Sequence, residues 1–211
     1  MSRFSDEDVK TITALKTIIA SKCGMIFLPH PSIDTRRFFL AGGFFANLYH
    51  YYHSPARESF SEMFADSDMD IYVRADTQEE YDAKMLPVYK AYQEELIETK
   101  ENYAYTCADT VAIRKRYPDF VTKTVQFVHC RYGNPNEVVE TFDMEHSKVY
   151  YDIFNDTLHI SPAQFELIKD KKILLYEGKS LNRQSRLSKW ERRGWTLYKT
   201  VEPEQNDNVP F

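Results

Sequence analysis

The most informative segment of this 211-residue chain is DMDIYV, residues 68–73. The β-branched and aromatic residues at its end predict a β-strand. On a strand, Asp68 and Asp70 point to one face, about 6.6 Å apart along the chain, while Met69 and Ile71 point to the other. One face therefore carries charge and the other anchors the strand in a core. Two carboxylates held rigidly on one face suit a divalent metal ion.

A second signal lies upstream, where an apolar run meets two glycines. Residues 38–41, FFLA, predict a buried strand that stops at Gly42 and Gly43, because a tight turn needs residues without a Cβ. A helix is predicted over residues 44–53, and its N-terminus offers free backbone N–H groups that suit a phosphate. Asp143 begins a later extended segment. An isolated Asp-x-Asp is a weak signal, but a Gly-Gly turn, an Asp-x-Asp pair and a later Asp together are far more specific.

The charges are divided between two segments. The chain has 27 Lys and Arg against 32 Asp and Glu, and its net charge of −5 argues against a protein that coats nucleic acid through bulk charge. Residues 62–82 hold eight acidic side chains and one Arg, a cluster that repels itself unless cations bind. Residues 181–199 hold six basic side chains and one acidic. The basic stripe could neutralise a triphosphate or a nucleic-acid backbone, or it could pair with the acidic surface.

The remaining segments predict helices placed between strands. Predicted helices cover residues 6–21, 78–99, 135–141, 162–171 and 181–193. Predicted extended segments cover residues 110–114, 122–129, 142–154 and 158–160. Because several β segments are adjacent in sequence, we expect an α+β (mixed α/β) domain rather than a purely parallel sheet.

Composition excludes several classes of protein. Apolar residues make up 43% of the chain, which is enough for a core and excludes global disorder. The three cysteines form no C-x-x-C pair, and their odd number fits a reducing compartment. No apolar run approaches the ~18 residues of a membrane span, and no signal peptide is evident. We therefore expect a cytoplasmic protein without a membrane partner.

Two minor candidates accompany the acidic pair. His50 and His53 could share a metal ion, although a surface position at the end of an aromatic helix is the commoner use of such residues. Tyr49, Tyr51 and Tyr52 could stack on a base, but packing is again the commoner use. No cysteine lies in a Cys–His arrangement, which argues against a thiol nucleophile.

These segments resemble the signature of the polymerase-β-like nucleotidyltransferase superfamily. More narrowly, they are similar to small nucleotidyltransferase-like proteins of phages and large DNA viruses. The resemblance rests on FLAGG at residues 39–43 and SDMDIYV at residues 67–73. It is supported by VQFV at residues 125–128, by PNEVV with Phe142-Asp143, and by the stretch from Arg186 to Gly194.

The resemblance implies a metal-dependent reaction. Asp68 and Asp70 would bind two Mg²⁺ ions, and Asp143 would complete the site and orient or deprotonate the acceptor hydroxyl. Two metal ions about 4 Å apart clamp the attacking and leaving oxygens of an in-line displacement. The implied catalytic and metal-binding residues are thus Asp68, Asp70 and Asp143.

The resemblance also implies how the nucleoside triphosphate (NTP) binds, with ATP among the candidate donors. Gly42 and Gly43 would let the backbone approach the triphosphate, and Arg186 and Lys189 would contact its phosphates. The family often has Ser in place of Gly43, and its glycines lie closer to the acidic pair. The additional residues here, 53–65, could form a lid, an acceptor-binding insertion or a helix extension.

The predicted architecture is a nucleotidyltransferase-like mixed sheet flanked by helices, with a C-terminal hairpin and helical segment. Within a single domain we expect an N-terminal helix and irregular lead-in at residues 1–36 and a nucleotidyltransferase core at residues 37–160. A C-terminal helical segment packed on the core at residues 161–199 and a tail at residues 200–211 would complete it.

The preferred function is transfer of a nucleoside monophosphate from an NTP to an acceptor hydroxyl, with release of pyrophosphate. The acceptor could be an RNA end, a protein or a small molecule, and a viral protein of this kind would act in the host cytoplasm. One alternative is a catalytically degenerate factor that binds nucleotide or protein, such as an inhibitor of a host protein. Another is metal-dependent phosphoester hydrolysis by the same acids.

Overall fold

A seven-stranded mixed sheet organises the chain. The computed structural model describes residues 3–27, 30–54, 68–98, 103–106, 110–114, 124–177 and 183–202. The strands are β1 (Phe38–Ala41), β2 (Asp68–Val73), β3 (Tyr103–Thr106), β4 (Thr110–Arg114), β5 (Thr124–Tyr132), β6 (Tyr150–Asp152) and β7 (Thr157–His159). Their order in the sheet is β3-β4-β5-β2-β1-β6-β7, so β2 is central. β2 and β5 are parallel and the other neighbouring strands are antiparallel, which confirms the predicted mixed sheet.

Helices and a second small sheet complete the fold. The helices are α1 (Asp6–Phe27), α2 (Phe44–Tyr52), α3 (Gln78–Glu98), α4 (Pro135–Glu140), α5 (Pro162–Lys169) and α6 (Arg183–Arg192). Short 3-10 helices span Thr35–Arg37 and Glu145–Ser147. The second sheet pairs β8 (Lys172–Tyr176) with β9 (Thr196–Val201) in parallel. Mixed sheet and helices together confirm the predicted α+β class. Among the described residues, no helix is long and apolar enough to cross a membrane.

Side chains of the central strand β2 point alternately to the two faces of the sheet. Met69, Ile71 and Val73 are fully buried in a cluster that also contains side chains of α1, α2 and α3. Asp68 and Asp70 alternate with them and are only half-buried. We call the side of the sheet that carries Met69 the core face and the side that carries Asp70 the cleft face. The alternation of buried and polar residues predicted for this strand is therefore present.

Much of the cleft face is apolar. A second buried cluster lies there, containing Phe39, Tyr72 and Phe142 together with Val138 and Val139 of α4. The rings of Phe39 and Tyr72 stack with centroids 5.5 Å apart. Because this cluster covers the neighbouring strands, the carboxylates of β2 project from a rigid surface.

The first helix is longer than predicted. α1 extends to Phe27 rather than ending near Ser21, because Cys23, Ile26 and Phe27 continue its apolar face and are buried. The spacing of Val9 from Ile12 and Leu15 predicts that it shares this apolar face, but Val9 is 50% exposed.

The predicted extended segment 142–154 is wrong over most of its length. Only Tyr150–Asp152 form a strand, and Glu145–Ser147 form a 3-10 helix. Lys148 stabilises the compact turn by ion pairs with Glu140 and Glu145, with Nζ–O distances of 2.8 and 3.2 Å. Contacts between side chains that are not adjacent in the chain thus decide this conformation.

The C-terminal region contains strands that the sequence patterns do not indicate. The predicted helix 162–171 ends at Lys169, since Lys171 has a positive φ of 51° that breaks the helix, and β8 starts at Lys172. The hairpin of β6 and β7 agrees with the prediction, whereas β3, β8 and β9 were not predicted. Most of the insertion at residues 53–65 and the tail after residue 202 lie outside the described residues.

Candidate functional site

A polar cleft of about 190 Å³ lies where β2, the start of α2 and α6 meet. Its lining includes two acids and three cations together with one of the predicted glycines: Asp68, Asp70, Arg186, Lys189, Arg193 and Gly43. The structure thus brings together residues from both charged segments of the sequence. The spacing of Asn182 from Arg186 predicts that it shares the helix face of these cations, but Asn182 lies outside the described residues.

Asp70 is positioned by the pairing of β1 with β2. Ala41 is its partner in the register, so the carboxylate lies beside the turn that follows β1. A Cβ on Gly42 would lie 3.4 Å from Oδ2 of Asp70, and Gly42 has a φ of +108°. The glycine therefore permits both the left-handed turn and the close approach of the carboxylate.

The environment of Asp70 favours its neutral form when no cation is bound. Burial, together with the negative charge of Asp68, raises its pKa to about 7 even though Lys189 and Arg186 act to lower it. A carboxylate pair in this state gains stability from a cation that binds both members. Oxygen donors of this kind match the preference of Mg²⁺ for carboxylates.

Gly43 is required for a reason other than turn geometry. Its φ of −71° is accessible to any residue, so the predicted strained turn is present at Gly42 alone. A Cβ on Gly43 would lie only 2.5 Å from Cζ2 of Trp190. The indole of α6 occupies the space that any side chain at this position would need, and this close packing joins α6 to the start of α2.

Trp190 and Leu187 anchor α6 by their buried side chains. The Trp190 ring lies 4.5 Å from His146 and 4.8 Å from Trp195, measured between centroids. The guanidinium of Arg193 lies over the indole, 5.2 Å from its centroid. The buried side of the helix therefore determines where its cationic side chains lie.

Two of these cations contact polar side chains of other elements. Arg186 Nη1 lies 3.0 Å from Asp143 Oδ1. Arg193 Nη1 donates a hydrogen bond of 3.4 Å to Asn47 Oδ1 on α2. These contacts join α6 to Asp143 and to α2.

Asp143 differs from the other two predicted acids in its surroundings. Its side chain is fully buried, and the residues that line the cleft include Arg186 but not Asp143. Among the described residues, neither oxygen of this carboxylate has a partner in hydrogen-bonding geometry, although the Arg186 ion pair is close. No group of three or more His, Cys, Asp or Glu within the described part of the chain is arranged to hold a metal ion.

The minor candidates have structural contacts. His50 Nε2 lies 2.7 Å from the carbonyl oxygen of Ile168, and burial lowers the pKa of His50 to about 4. Tyr49 packs edge-on against Phe165 with ring centroids 5.4 Å apart, whereas Tyr52 is 40% exposed. His50 and Tyr49 thus link α2 to α5.

The sequence patterns did not predict the aromatic cluster of His146, Trp190 and Trp195, which packs behind the cleft and is called here its aromatic support. His146 is fully buried between Trp190 and Trp195, and burial lowers its pKa to about 3. Among the described residues, neither ring nitrogen of His146 has a hydrogen-bond partner. The spacing of Leu187 and Trp190 within a basic helix was the one sequence signal that could have indicated a buried side of α6.

A larger cavity of about 380 Å³ lies away from the charged residues, between α1 and β6. Its lining includes Cys23, Phe27 and Tyr151. Burial raises the pKa of the Cys23 thiol to about 12, which makes it a poor nucleophile. The smaller polar cleft is therefore the stronger candidate for chemistry.

Comparisons with solved structures identify distant neighbours. One is a tRNA-processing enzyme with CTP, 14% identical with a TM-score of 0.45, matched over 78% of this chain and 40% of that chain. Another is the CCA-adding enzyme of Thermotoga maritima in complex with tRNA, 11% identical with a TM-score of 0.44, matched over 81% and 36%. This chain spans less than half of the length of either, and the similarity is too distant to assign an activity to it.

Curated proteins give no match. The family model for Gabija anti-defense 2 family proteins matches residues 12–171, which include the Gly42–Gly43 turn, the acidic pair and Asp143 but end before α6. Because this match covers more than half of the 211 residues, the chain belongs to the Gabija anti-defense 2 family.

Proposed function

We propose that this protein is a Mg²⁺-dependent nucleotidyltransferase that acts against Gabija defence. It would transfer a nucleoside monophosphate from an NTP to an acceptor hydroxyl in the host cytoplasm. The observation that carries the proposal is the cleft, in which Asp68 and Asp70 on a rigid strand lie opposite Arg186, Lys189 and Arg193. A site with both signs of charge suits a metal ion and a polyphosphate together.

The acidic pair fits a magnesium site. Mg²⁺ is commonly held by one or two protein carboxylates together with substrate phosphates, and Asp68 and Asp70 offer such a pair. When bound, the metal ions would neutralise phosphate charge and activate the acceptor oxygen. The part of Asp68 and Asp70 is to hold the ions at a fixed place relative to β1 and the glycine turn.

The cationic side of the cleft fits the triphosphate. Arg186 and Lys189 lie close enough to lower the pKa of Asp70, so their charge reaches the same space as the acidic pair. Gly43 precedes the first turn of α2, where no side chain caps the backbone N–H groups. These donors and cations would orient the β- and γ-phosphates as the leaving group.

The reaction is a displacement at the α-phosphorus. The acceptor oxygen forms a bond to that phosphorus while the bond to the β-phosphate oxygen breaks, and pyrophosphate and the acceptor proton leave. The acceptor would be an RNA end, a protein hydroxyl or a small molecule. The name of the family favours an acceptor whose modification impairs the Gabija system.

A second candidate function follows from the same name. An anti-defence protein could inhibit its target by binding alone, with the cleft reduced to a nucleotide-binding site. Calorimetric titration of each NTP with and without Mg²⁺ separates the two functions, since tight binding without pyrophosphate release favours the binder.

The transfer itself is tested by incubating the protein and cell extract with each α-labelled NTP in Mg²⁺. We expect label to join one acceptor with the wild type and with Asp76→Asn, an exposed acid beyond the far end of β2. Asp70→Asn should abolish labelling. Equal labelling by Asp70→Asn would overturn the assignment, and release of free nucleotide without a labelled acceptor would indicate hydrolysis instead.

A further inference from the structure

The ion pair of Asp143 and Arg186 links the buried interior to the cleft. The Asp143 side chain is 0% exposed, whereas that of Arg186 is 40% exposed and lines the cleft. The separation of 3.0 Å between Oδ1 and Nη1 is that of a direct ion pair. Since a buried carboxylate is costly unless it is paired, Arg186 is the partner that stabilises Asp143.

The backbone of Asp143 is held in place by β8. Its carbonyl oxygen accepts a hydrogen bond of 2.7 Å from the backbone N–H of Tyr176, and the next residue, Met144, forms a bridge with Leu175. Phe142, on the other side, is buried against the ring of Tyr72. The carboxylate therefore projects from a fixed point, whereas Arg186 is a long side chain on a helix surface.

The position of Asp143 fits an orienting role better than a metal-binding role. In the described part of the chain, no three acidic or imidazole groups are arranged to hold a metal ion. Arg186 stands between this carboxylate and the cleft. A guanidinium has five N–H donors in a fixed fork, so one nitrogen can bind Asp143 while others remain available to a phosphate.

We propose that Asp143 is a positioning residue that holds the Arg186 guanidinium in the orientation needed to bind the triphosphate of the donor. This inference rests on the proposed function of the cleft and assigns Asp143 to the phosphate side of the site rather than to the metal. Because the ion pair already restricts the conformations of the Arg186 side chain, less conformational entropy is lost when the triphosphate binds.

The experiment compares Asp143→Asn with Asp143→Leu. Asn keeps an oxygen that can accept a hydrogen bond from Arg186, whereas Leu fills a similar volume without any acceptor. Binding of inorganic tripolyphosphate is measured by calorimetry in EDTA, and binding of Mn²⁺ alone is measured by electron paramagnetic resonance. Asp70→Asn and Arg186→Gln are the reference variants for the metal and for the phosphate.

We expect Asp143→Asn to bind both probes within about threefold of the wild type. Asp143→Leu should bind tripolyphosphate about tenfold more weakly, because the Arg186 guanidinium is no longer held by an ion pair, and should bind Mn²⁺ normally. In an Arg186→Gln background, Asp143→Leu should have no further effect on tripolyphosphate binding. That last result separates action through Arg186 from a general structural defect, which thermal unfolding of each variant also monitors.

Three outcomes would overturn the inference. Loss of Mn²⁺ binding by Asp143→Asn, to the extent seen with Asp70→Asn, would make Asp143 a metal ligand. Unchanged tripolyphosphate binding by Asp143→Leu, or no binding by the wild type, would show that Asp143 does not orient a phosphate-binding group. None of these results requires nucleotide transfer, so failure of the proposed function is detected separately by the labelling experiment.

Discussion

The side chains on the two faces of β2 alternate along one strand, but one face stabilises the fold and the other provides charge to the cleft. On the core face, Met69 and Ile71 are fully buried and stabilise the fold. On the cleft face, Asp70 is buried enough to raise its pKa to about 7, which destabilises its charged form. Because one residue separates the two faces, a shift in register would exchange them. The core face therefore provides the rigidity with which the cleft face holds two like charges together.

The largest expected effect comes from the cleft face. Asp70→Asn should reduce nucleotide transfer by at least about 10³-fold, because it removes a proposed metal ligand. It should also raise stability at pH 8. The pKa of Asp70 is about 7 in the folded state and near 4 in the unfolded state, so ionisation destabilises the folded state as pH rises through this range.

Thermal unfolding at two pH values checks this sign. The melting temperature of Asp70→Asn should exceed that of the wild type by several degrees at pH 8 and by much less at pH 5. If Asp70→Asn is less stable than the wild type at both pH values, its loss of activity could come from unfolding. That result would contradict the idea that the cleft face contributes to function and the core face to stability.

The next effect comes from the core face. Ile71→Ala should lower the free energy of unfolding by about 2–5 kcal/mol, because it leaves a cavity at a fully buried position. Urea denaturation measures the change. Transfer activity per folded molecule should fall much less than with Asp70→Asn. Comparable loss of activity would mean that the two faces are not independent.

A smaller effect is expected where α6 meets the sheet. Gly43→Ala should destabilise the fold by about 1–3 kcal/mol, because its Cβ would lie 2.5 Å from the buried Trp190 ring. Displacement of this ring should also weaken binding of tripolyphosphate, since Trp190 anchors the helix that carries the cations. Combining Gly43→Ala with Trp190→Leu should recover part of the stability lost by Gly43→Ala, as judged by a double-mutant cycle in urea denaturation. Strictly additive losses would exclude the steric explanation.

The smallest effect concerns a polar residue inside the apolar support of the cleft. His146→Phe should change stability by less than about 1 kcal/mol at pH 8, because Phe keeps the aromatic contacts with Trp190 and Trp195. At pH 5 the variant should be more stable than the wild type. The pKa of His146 falls to about 3 in the folded protein, so only the unfolded wild type takes up a proton as pH falls below about 6.5.

Urea denaturation at pH 8 and pH 5 measures the difference between the two proteins. Equal pH dependence would mean that His146 can be protonated in the folded state.

Local patterns were sufficient to predict the elements that carry the acidic pair. The alternation in DMDIYV predicts the strand that is present. The spacing of Ser161 and Gln164 is typical of a reciprocal cap, which is present at the start of α5. The glycine turn was placed correctly, although only Gly42 adopts a positive φ. Each of these features depends on residues within a few positions of one another.

Features that depend on distant partners were not predictable from one sequence. β8 pairs with β9 across the whole of α6, and neither strand has a strong alternation that would separate it from a loop. The fit of Trp190 against Gly43 and the ion pair of Arg186 with Asp143 join residues from different parts of the chain. The types of these residues were informative, but their proximity depends on the tertiary structure.

The contact between Gly43 and Trp190 has a consequence for the order of synthesis. A ribosome would release β1, β2 and α1 long before it translates α6, so the acidic pair would leave the exit tunnel without its opposing cations. A nascent chain in this state would lack the phosphate-binding side of the cleft. Competence to bind a triphosphate would therefore begin only when α6 has emerged and docked through Trp190.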